Sequence, residues 1–512
     1  MITRILTIVS MAALACQAQV PQRIKWACLG NSLTAGYPQA NLTYVNGTTR
    51  LSGLIGYQDT IRNFGVSSST LLKKGDVPYW TRTISGTNVF AAVFAFKPDI
   101  ISIELGTNDT KSQNWQYNSE FVADLTAMVD TLTNNISPAP QIWLMLPPPI
   151  YTNTYGINDS IMTNGVIPKI QQVAAAKRLK MLDANTRMRA IATSSPTTYY
   201  SDGVHFTARG SDSLSAILYR SFISQVTRVA CIGNSITAGS TLTNAAQTAY
   251  PIRLNMLLGR NYYVKNEGLS GAYMQKAGRS PYWTTAQFRD VFNFKPNLIT
   301  IALGTNDARR TQWNAARYKT DYRTMIDTLS NTISPKPQIV MLKPMPAWMA
   351  NSSLNSSVAT QNGMAWGYDN GIAGNGINDT LIVDSTIPAV TQVASEKGLP
   401  TIDLYAPMLM GQPYVYNVTP SWVPDGVHPR ELGHDTLAHV VYRGLLTVTG
   451  ISGRNTFRAA NPAKTRLVPM LFSGTPNGST RLYSLDGKSV PLVGQKIGAG
   501  IYLEKAVERR QP

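Results

Sequence analysis

Almost every distinctive stretch of this chain occurs twice, in the same order. "GNSLTAG" at 30–36 returns as "GNSITAG" at 233–239, and "NFGVSSSTLLKKGDVPYW" as "NEGLSGAYMQKAGRSPYW". "FKPDIISIELGTND" is matched by "FKPNLITIALGTND", "SPAPQIWLML" by "SPKPQIVMLK", "YGINDS" by "NGINDT" and "SDGVHF" by "PDGVHP". A duplication that keeps its order predicts two copies of one domain, residues 21–225 and 226–450. The second copy carries an extra Asn-, Ser- and Gly-rich stretch, Asn351 to Gly374, which reads as an inserted loop.

Within each copy short apolar runs alternate with helical patterns. "IKWACLG", "DIISIEL", "QIWLML" and "KMLD" are the expected strands of the first copy, and "RVACIG", "NLITIAL", "QIVML" and "PTID" those of the second. Segments such as Ser119 to Asn134 and Ile167 to Lys177 carry apolar residues at helical spacing. Near-continuous apolar strands alternating with helices predict a parallel sheet covered on both faces. In such a fold the site lies at the carboxyl ends of the strands, where the repeated polar motifs fall.

The ends of the chain differ from the repeats. Residues 1–20, "MITRILTIVSMAALACQAQV", place Arg4 before an apolar run and then small residues, the layout of a secretory signal peptide, with cleavage expected after Ala15 or Ala18. Cys16 resembles a lipoprotein attachment cysteine, but its upstream leucine is one position out of place. No other stretch is long and apolar enough for a transmembrane segment. The protein is therefore expected to be secreted, to the periplasm, the cell surface or beyond.

Residues 451–512 hold ten Lys or Arg against three Asp or Glu and contain "NGSTRLYSLDGKSV" and "GAGIYLEKA". They read as a small basic β-rich module around an Asp-Gly turn. It resembles the C-terminal sorting or surface-attachment domains of secreted polysaccharide-degrading enzymes. The formal net charge of +18 would suit an anionic partner, but no nucleic-acid-binding motif accompanies it, so no nucleic-acid partner is expected. Cys28 and Cys231 hold equivalent positions on apolar strands and read as small buried hydrophobes.

Ser32 and Ser235 stand between a strand and a helix, where a serine taken alone is more often a helix cap than a nucleophile. The chain has four histidines, and His205 and His428 recur in "DGVH", three residues after Asp202 and Asp425. That spacing lets a carboxylate hold the imidazole's tautomer and stabilise its cation. His434 and His439 have no counterpart in the first copy and read as structural or surface residues, with no zinc-site spacing. A serine nucleophile also needs donors for an oxyanion. Backbone N–H groups at Gly65 and Gly268 and the side-chain amides of Asn108 and Asn306 are the candidates, although a turn glycine and an Asx turn are the favoured readings of each alone. Asp109 and Asp307 read as structural turn residues.

Taken in order, Ser in "GNS", Gly in "NFG" or "NEG", Asn in "GTND" and His in "DGVH" resemble the four blocks of the SGNH, or GDSL, lipase and esterase family, over residues 22–447 and twice over. The resemblance implies two tandem flavodoxin-like α/β/α domains with parallel sheets. It implies hydrolysis of an ester, commonly an acetyl ester on carbohydrate, without metal or organic cofactor. Carried over, Ser32, Gly65, Asn108, Asp202 and His205 form one site, and Ser235, Gly268, Asn306, Asp425 and His428 the other. One departure is the family's Asp before Ser: here Asn31 and Asn234 occupy that place, which puts the local hydrogen-bond pattern in question.

Tyr79 and Trp80, Tyr282 and Trp283, and Trp115 and Trp313 repeat near the blocks and fit a sugar-binding surface or a core equally well. Secretion and two linked sites favour a polymeric substrate, acetylated plant polysaccharide or its oligosaccharides. The alternatives are a lipolytic or small-ester acylhydrolase, and a carbohydrate-binding surface protein with one degenerate copy.

Overall fold

The computed structural model describes residues 24–56, 60–309, 311–348, 377–409 and 421–450, together with the backbone of three short strands near the C-terminus. The expected signal peptide, Cys16, the inserted stretch Asn351 to Gly374 and "GAGIYLEKA" lie outside these residues.

The first repeat forms a parallel sheet of β1 (Trp26–Gly30), β2 (Ile61–Gly65), β3 (Ile100–Glu104), β4 (Gln141–Leu146) and β5 (Lys180–Asp183), in the order 2-1-3-4-5. The second repeats it with β6 (Thr227–Gly233), β7 (Tyr262–Gly268), β8 (Leu298–Ala302), β9 (Gln338–Lys343) and β10 (Thr401–Asp403). This is the flavodoxin-like order, whose switch point falls between the first and third strands. In register, Gly30 pairs with Gly65 on one side and Glu104 on the other, so the ends of β1, β2 and β3 form one edge. Gly233, Gly268 and Ala302 form the matching edge.

The eight expected strands are present, and the helices over Phe121–Asn135 and Ile167–Lys177 lie where the spacing predicts them. β2 and β7 were not among the expected strands. Each pairs with a neighbour on one side only, and "IRNFG" buries only Ile61 and Phe64, so it lacks the continuous apolar run of an inner strand.

Successive residues of a strand point to opposite faces. Trp26 and Cys28 belong to one apolar cluster, Ala27 and Leu29 to another, so both faces of the first sheet are covered. In the second sheet Ala230 and Ile232 face one cluster, Val229 and Cys231 another.

The first of these clusters runs through both repeats. The helix Ala208–Ser224 ends the first repeat, and β6 begins at Thr227. Phe222 on that helix packs its ring 5.1 Å from Trp26 and 6.0 Å from Tyr263 of the second repeat. Arg260 donates to the carbonyls of Ala139, at 2.7 Å, and Asp99, at 3.2 Å. The chain up to Asn455 is accordingly one compact unit, and the residues from Thr456 a second. Two separately folded repeats would each have to expose part of that shared cluster to water.

In the C-terminal unit, strands β11 (Leu471–Gly474), β12 (Thr480–Tyr483) and β13 (Ser489–Val490) make an antiparallel sheet. Among the described residues no helix is long and apolar enough to cross a membrane.

Candidate active site

At the end of β1 the chain turns into the short helix Ser32–Ala35. Its cap is Asn31, not the serine: Asn31 Oδ1 accepts the Leu33 N–H at 2.8 Å, and Asn234 does the same for Ile236 at 3.0 Å. With the first turn capped from one residue earlier, the serine hydroxyl is left for another partner. Ser32 Oγ lies 2.9 Å from His205 Nε2, and Ser235 Oγ 2.8 Å from His428 Nε2.

The other face of each imidazole is held by the Asp of the same motif. His205 Nδ1 is 2.7 Å from Asp202 Oδ2, and His428 Nδ1 is 2.6 Å from Asp425 Oδ2. The second carboxylate oxygen accepts backbone N–H groups, Val204 and His205 in one copy, Val427 and His428 in the other. Burial opposes the charge of Asp202 and Asp425. Their bonds to the histidine's backbone and ring outweigh it and hold both below the usual aspartate range. An ionised Asp fixes the proton on Nδ1, so Nε2 is left to accept the serine hydroxyl's hydrogen.

The donor side differs from the sequence reading. The N–H of Gly65 is engaged by Asn63 Oδ1 at 2.8 Å, and that of Gly268 by Asn266 Oδ1 at 2.9 Å, so neither is available to an oxyanion. These glycines are needed for another reason: a Cβ on Gly65 would lie 2.3 Å from the backbone nitrogen of Ala35, and one on Gly268 2.2 Å from that of Ala238. They let the strand end pack against the serine's helix.

Three residues further on, Ser68 and Gly271 occupy equivalent positions with φ of 66° and 75°. A serine in that left-handed region is uncommon and marks an imposed backbone direction. Among the described residues no acceptor is found for the N–H of Ser68, Gly271, Ser32 or Ser235. Asn108 Nδ2 donates one hydrogen to the carbonyl of Ser69 at 3.1 Å, and Asn306 Nδ2 donates to that of Ala272 at 3.0 Å. Each amide retains a second hydrogen.

Asp109 and Asp307 are structural, as expected. Asp109 accepts the N–H groups of Leu71 and Leu72, and Asp307 those of Met274 and Gln275, pinning the loop that carries Ser68 or Gly271.

The copies diverge at the buried carboxyl of Glu104. Glu104 at the end of β3 accepts from Asn31 Nδ2 at 3.2 Å, from Thr34 Oγ1 at 3.0 Å and from Thr107 Oγ1 at 3.4 Å. Asn31 thus supplies this carboxyl with an N–H donor that an ionised Asp at the same place would lack. In the second copy the position is Ala302, whose side chain offers Asn234 no acceptor.

Burial pushes the Glu104 carboxyl up to about 8 against these hydrogen bonds. The folded chain then holds this proton to higher pH than the unfolded chain. Its stabilising contribution is complete below about 4.5 and is lost as pH rises through about 8. Glu104→Gln is expected to flatten the dependence of Tm on pH between about pH 5 and 9, removing a swing of a few kcal/mol, since one pKa unit is worth about 1.4 kcal/mol. Thermal melts across that range check this, and parallel curves for the variant and parent would refute it.

Of the repeated aromatics the tyrosines are core, and the four tryptophans are half-buried against it. Tyr79 and Tyr282 are buried and donate to the carbonyls of Phe64 and Glu267. Trp80 and Trp283 bond Leu71 and Met274, Trp115 packs on Phe121, and Trp313 on Tyr318. His434 is buried, accepts from the Tyr250 N–H, and burial lowers its pKa to about 3, a structural neutral imidazole. Cys28 and Cys231 are buried free thiols pushed up to about 12 by burial.

The residues missed from sequence are Ser68 and Gly271, together with two exposed tyrosines, Tyr37 and Tyr155, beside His205. A residue's backbone conformation or its neighbour across the fold leaves little trace in a single sequence. Gly271 alone gave a hint, as the glycine of "NEGLSG".

Residues 28–212 and 231–436 each match the model of the GDSL-like lipase/acylhydrolase family. The chain is 33% identical over 211 residues to an acetylxylan esterase of Xylanibacter ruminicola, a match covering 38% of this chain and 42% of that protein. Similar solved structures include a carbohydrate acetylesterase from Sinorhizobium meliloti, 19% identical, covering 39% of this chain and 97% of that one with a TM-score of 0.30. A catalytic mutant of an acetylxylan esterase from Geobacillus stearothermophilus is 19% identical, covering 43% and 94%, with a TM-score of 0.31. With its motifs matched in both repeats, the chain belongs to the GDSL-like lipase/acylhydrolase family and carries that family's domain twice.

Proposed function

We propose that this protein is a secreted carboxylic ester hydrolase that removes acetyl groups from carbohydrate, with one serine site in each repeat. The observation that carries the reading is the same Ser-His-Asp chain of contacts, at 2.6–2.9 Å, in both copies. His205 or His428 takes the serine proton as Ser32 or Ser235 attacks the acyl carbon, and the ionised Asp stabilises the imidazolium. The oxyanion is received by the serine's own N–H, the N–H of Ser68 or Gly271, and the free amide hydrogen of Asn108 or Asn306. The same histidine protonates the departing alcohol, and water then repeats the sequence to release the acid.

A scaffold that had lost activity would have no reason to keep both constellations intact. The similarity to an acetylxylan esterase supports acetylated polysaccharide as the substrate class. Acetate release from acetylated xylan and pectin, compared with hydrolysis of triacetin, 4-nitrophenyl acetate and 4-nitrophenyl octanoate, tests the reading. 4-Nitrophenyl acetate, which shares the octanoate's leaving group, should be turned over at least about tenfold faster than the octanoate, the scale on which a pocket separates acyl groups by a few methylenes. Preference for the octanoate would favour the lipolytic alternative.

A further inference from the structure

Among the described residues, two tyrosines count as exposed large side chains, Tyr37 at 45% and Tyr155 at 54%, and both stand against the histidine of the first site. The Tyr37 ring centroid lies 4.5 Å from that of His205, and the Tyr155 ring 5.7 Å away, near edge-on. They come from distant parts of the chain, Tyr37 from just after the serine's helix and Tyr155 from the loop after β4.

Tyr155 is held outward by an unusual backbone, φ 61° and ψ 16°, and its hydroxyl donates to Asp202 Oδ2 at 3.3 Å. An aromatic residue in the left-handed region persists only where its surroundings impose it, and such positions concentrate at ligand-contacting sites.

The second site is built differently at these places. Ser240 stands where Tyr37 does and hydrogen-bonds Ser270. The sequence counterpart of Tyr155 is Asn375, outside the described residues.

We infer that Tyr37 and Tyr155 form an aromatic platform at the mouth of the first site that stacks on the sugar ring bearing the ester, making the first site selective for carbohydrate esters by a means that Ser240 denies the second. This rests on the carbohydrate reading proposed above. A tyrosine face offers a flat apolar surface to the C–H face of a pyranose, while its hydroxyl stays wet or pairs with a polar group. Neither ring is needed to fill the core, since both remain open to solvent.

The test uses the full chain with Ser235→Ala, so that only the first site acts. The kcat/KM for acetate release is measured on acetylated xylo-oligosaccharide and on triacetin, an acetyl ester with no ring. Tyr37→Ala is expected to lower the oligosaccharide-to-triacetin ratio about tenfold, through KM, the scale reported for loss of one stacked aromatic. Tyr155→Phe, which keeps the ring and drops the bond to Asp202, should hold the parent ratio.

If the two substrates lose activity in proportion, the tyrosines position His205 instead and the inference fails while the carbohydrate reading stands. An unchanged ratio in Tyr37→Ala also overturns it. If the Ser235→Ala parent cleaves triacetin but no acetylated oligosaccharide, the carbohydrate reading itself falls at this site, and the stacking role with it.

Discussion

Replacing Ser32 and Ser235 together by alanine is expected to lower acetyl ester hydrolysis by a factor on the order of 10⁴ to 10⁶, leaving only what the oxyanion donors and binding supply. The magnitude follows from the chemistry. Each serine hydroxyl lies within hydrogen-bond distance of its histidine's Nε2 and is the group whose oxygen attacks, so removing it removes the nucleophile itself. The single variants carry more information than the pair. The sites use no residue in common, so the rates left in Ser32→Ala and Ser235→Ala should sum to the parent rate. A sum well below the parent would mean that the repeats work together, and a double variant that keeps most of its activity would sink the assignment. The substitution removes one buried oxygen that does not cap its helix, so the fold should survive and Tm should stay within a few degrees.

The second large effect is expected at Asn108. In the Ser235→Ala background, Asn108→Ala should reduce kcat by about 10² to 10³ with KM little changed, the signature of a donor that binds the developing oxyanion and not the ground-state ester. Asn108→Asp retains the shape but puts negative charge where the oxyanion forms, and should be worse. Asn108 also accepts from Asn114 Nδ2 through its backbone carbonyl, a bond that neither substitution removes, so gross loss of structure is not expected. Equal kcat in Asn108→Ala and its parent would remove Asn108 from the machinery. Asn306→Ala in the Ser32→Ala background repeats the test at the second site, where the amide holds the same position against Ala272.

Both expectations begin from residues that could be picked out of the sequence, and the reason is physical. Inner parallel strands are covered on both faces and so are apolar throughout, which made them stand out as runs; the short edge strands "KMLD" and "PTID" were found by their place in the repeat. The loops at their carboxyl ends carried the polar motifs. The duplication did the rest: a Ser, an Asn or an Asp-x-x-His is ambiguous once, and far less so when all recur in order. β2 escaped because "IRNFG" buries only Ile61 and Phe64 and puts Arg62 and Asn63 between them, which looks like a loop.

What sequence alone determined here is the duplicated α/β architecture, the family and the choice of Ser32, His205, Asp202, Asn108 and their counterparts as candidates, because these depend on residue type and order. The tertiary structure decided everything that depends on which hydrogen-bonding group is already occupied. It put the helix cap on Asn31 and freed the Ser32 hydroxyl. It tied up the Gly65 N–H on Asn63 and left that of Ser68 open, and it put Tyr79 in the core and Tyr37 at the mouth of the site. A backbone donor is one among hundreds of identical groups along the chain. Only folding, by pairing the others, singles out the one that remains.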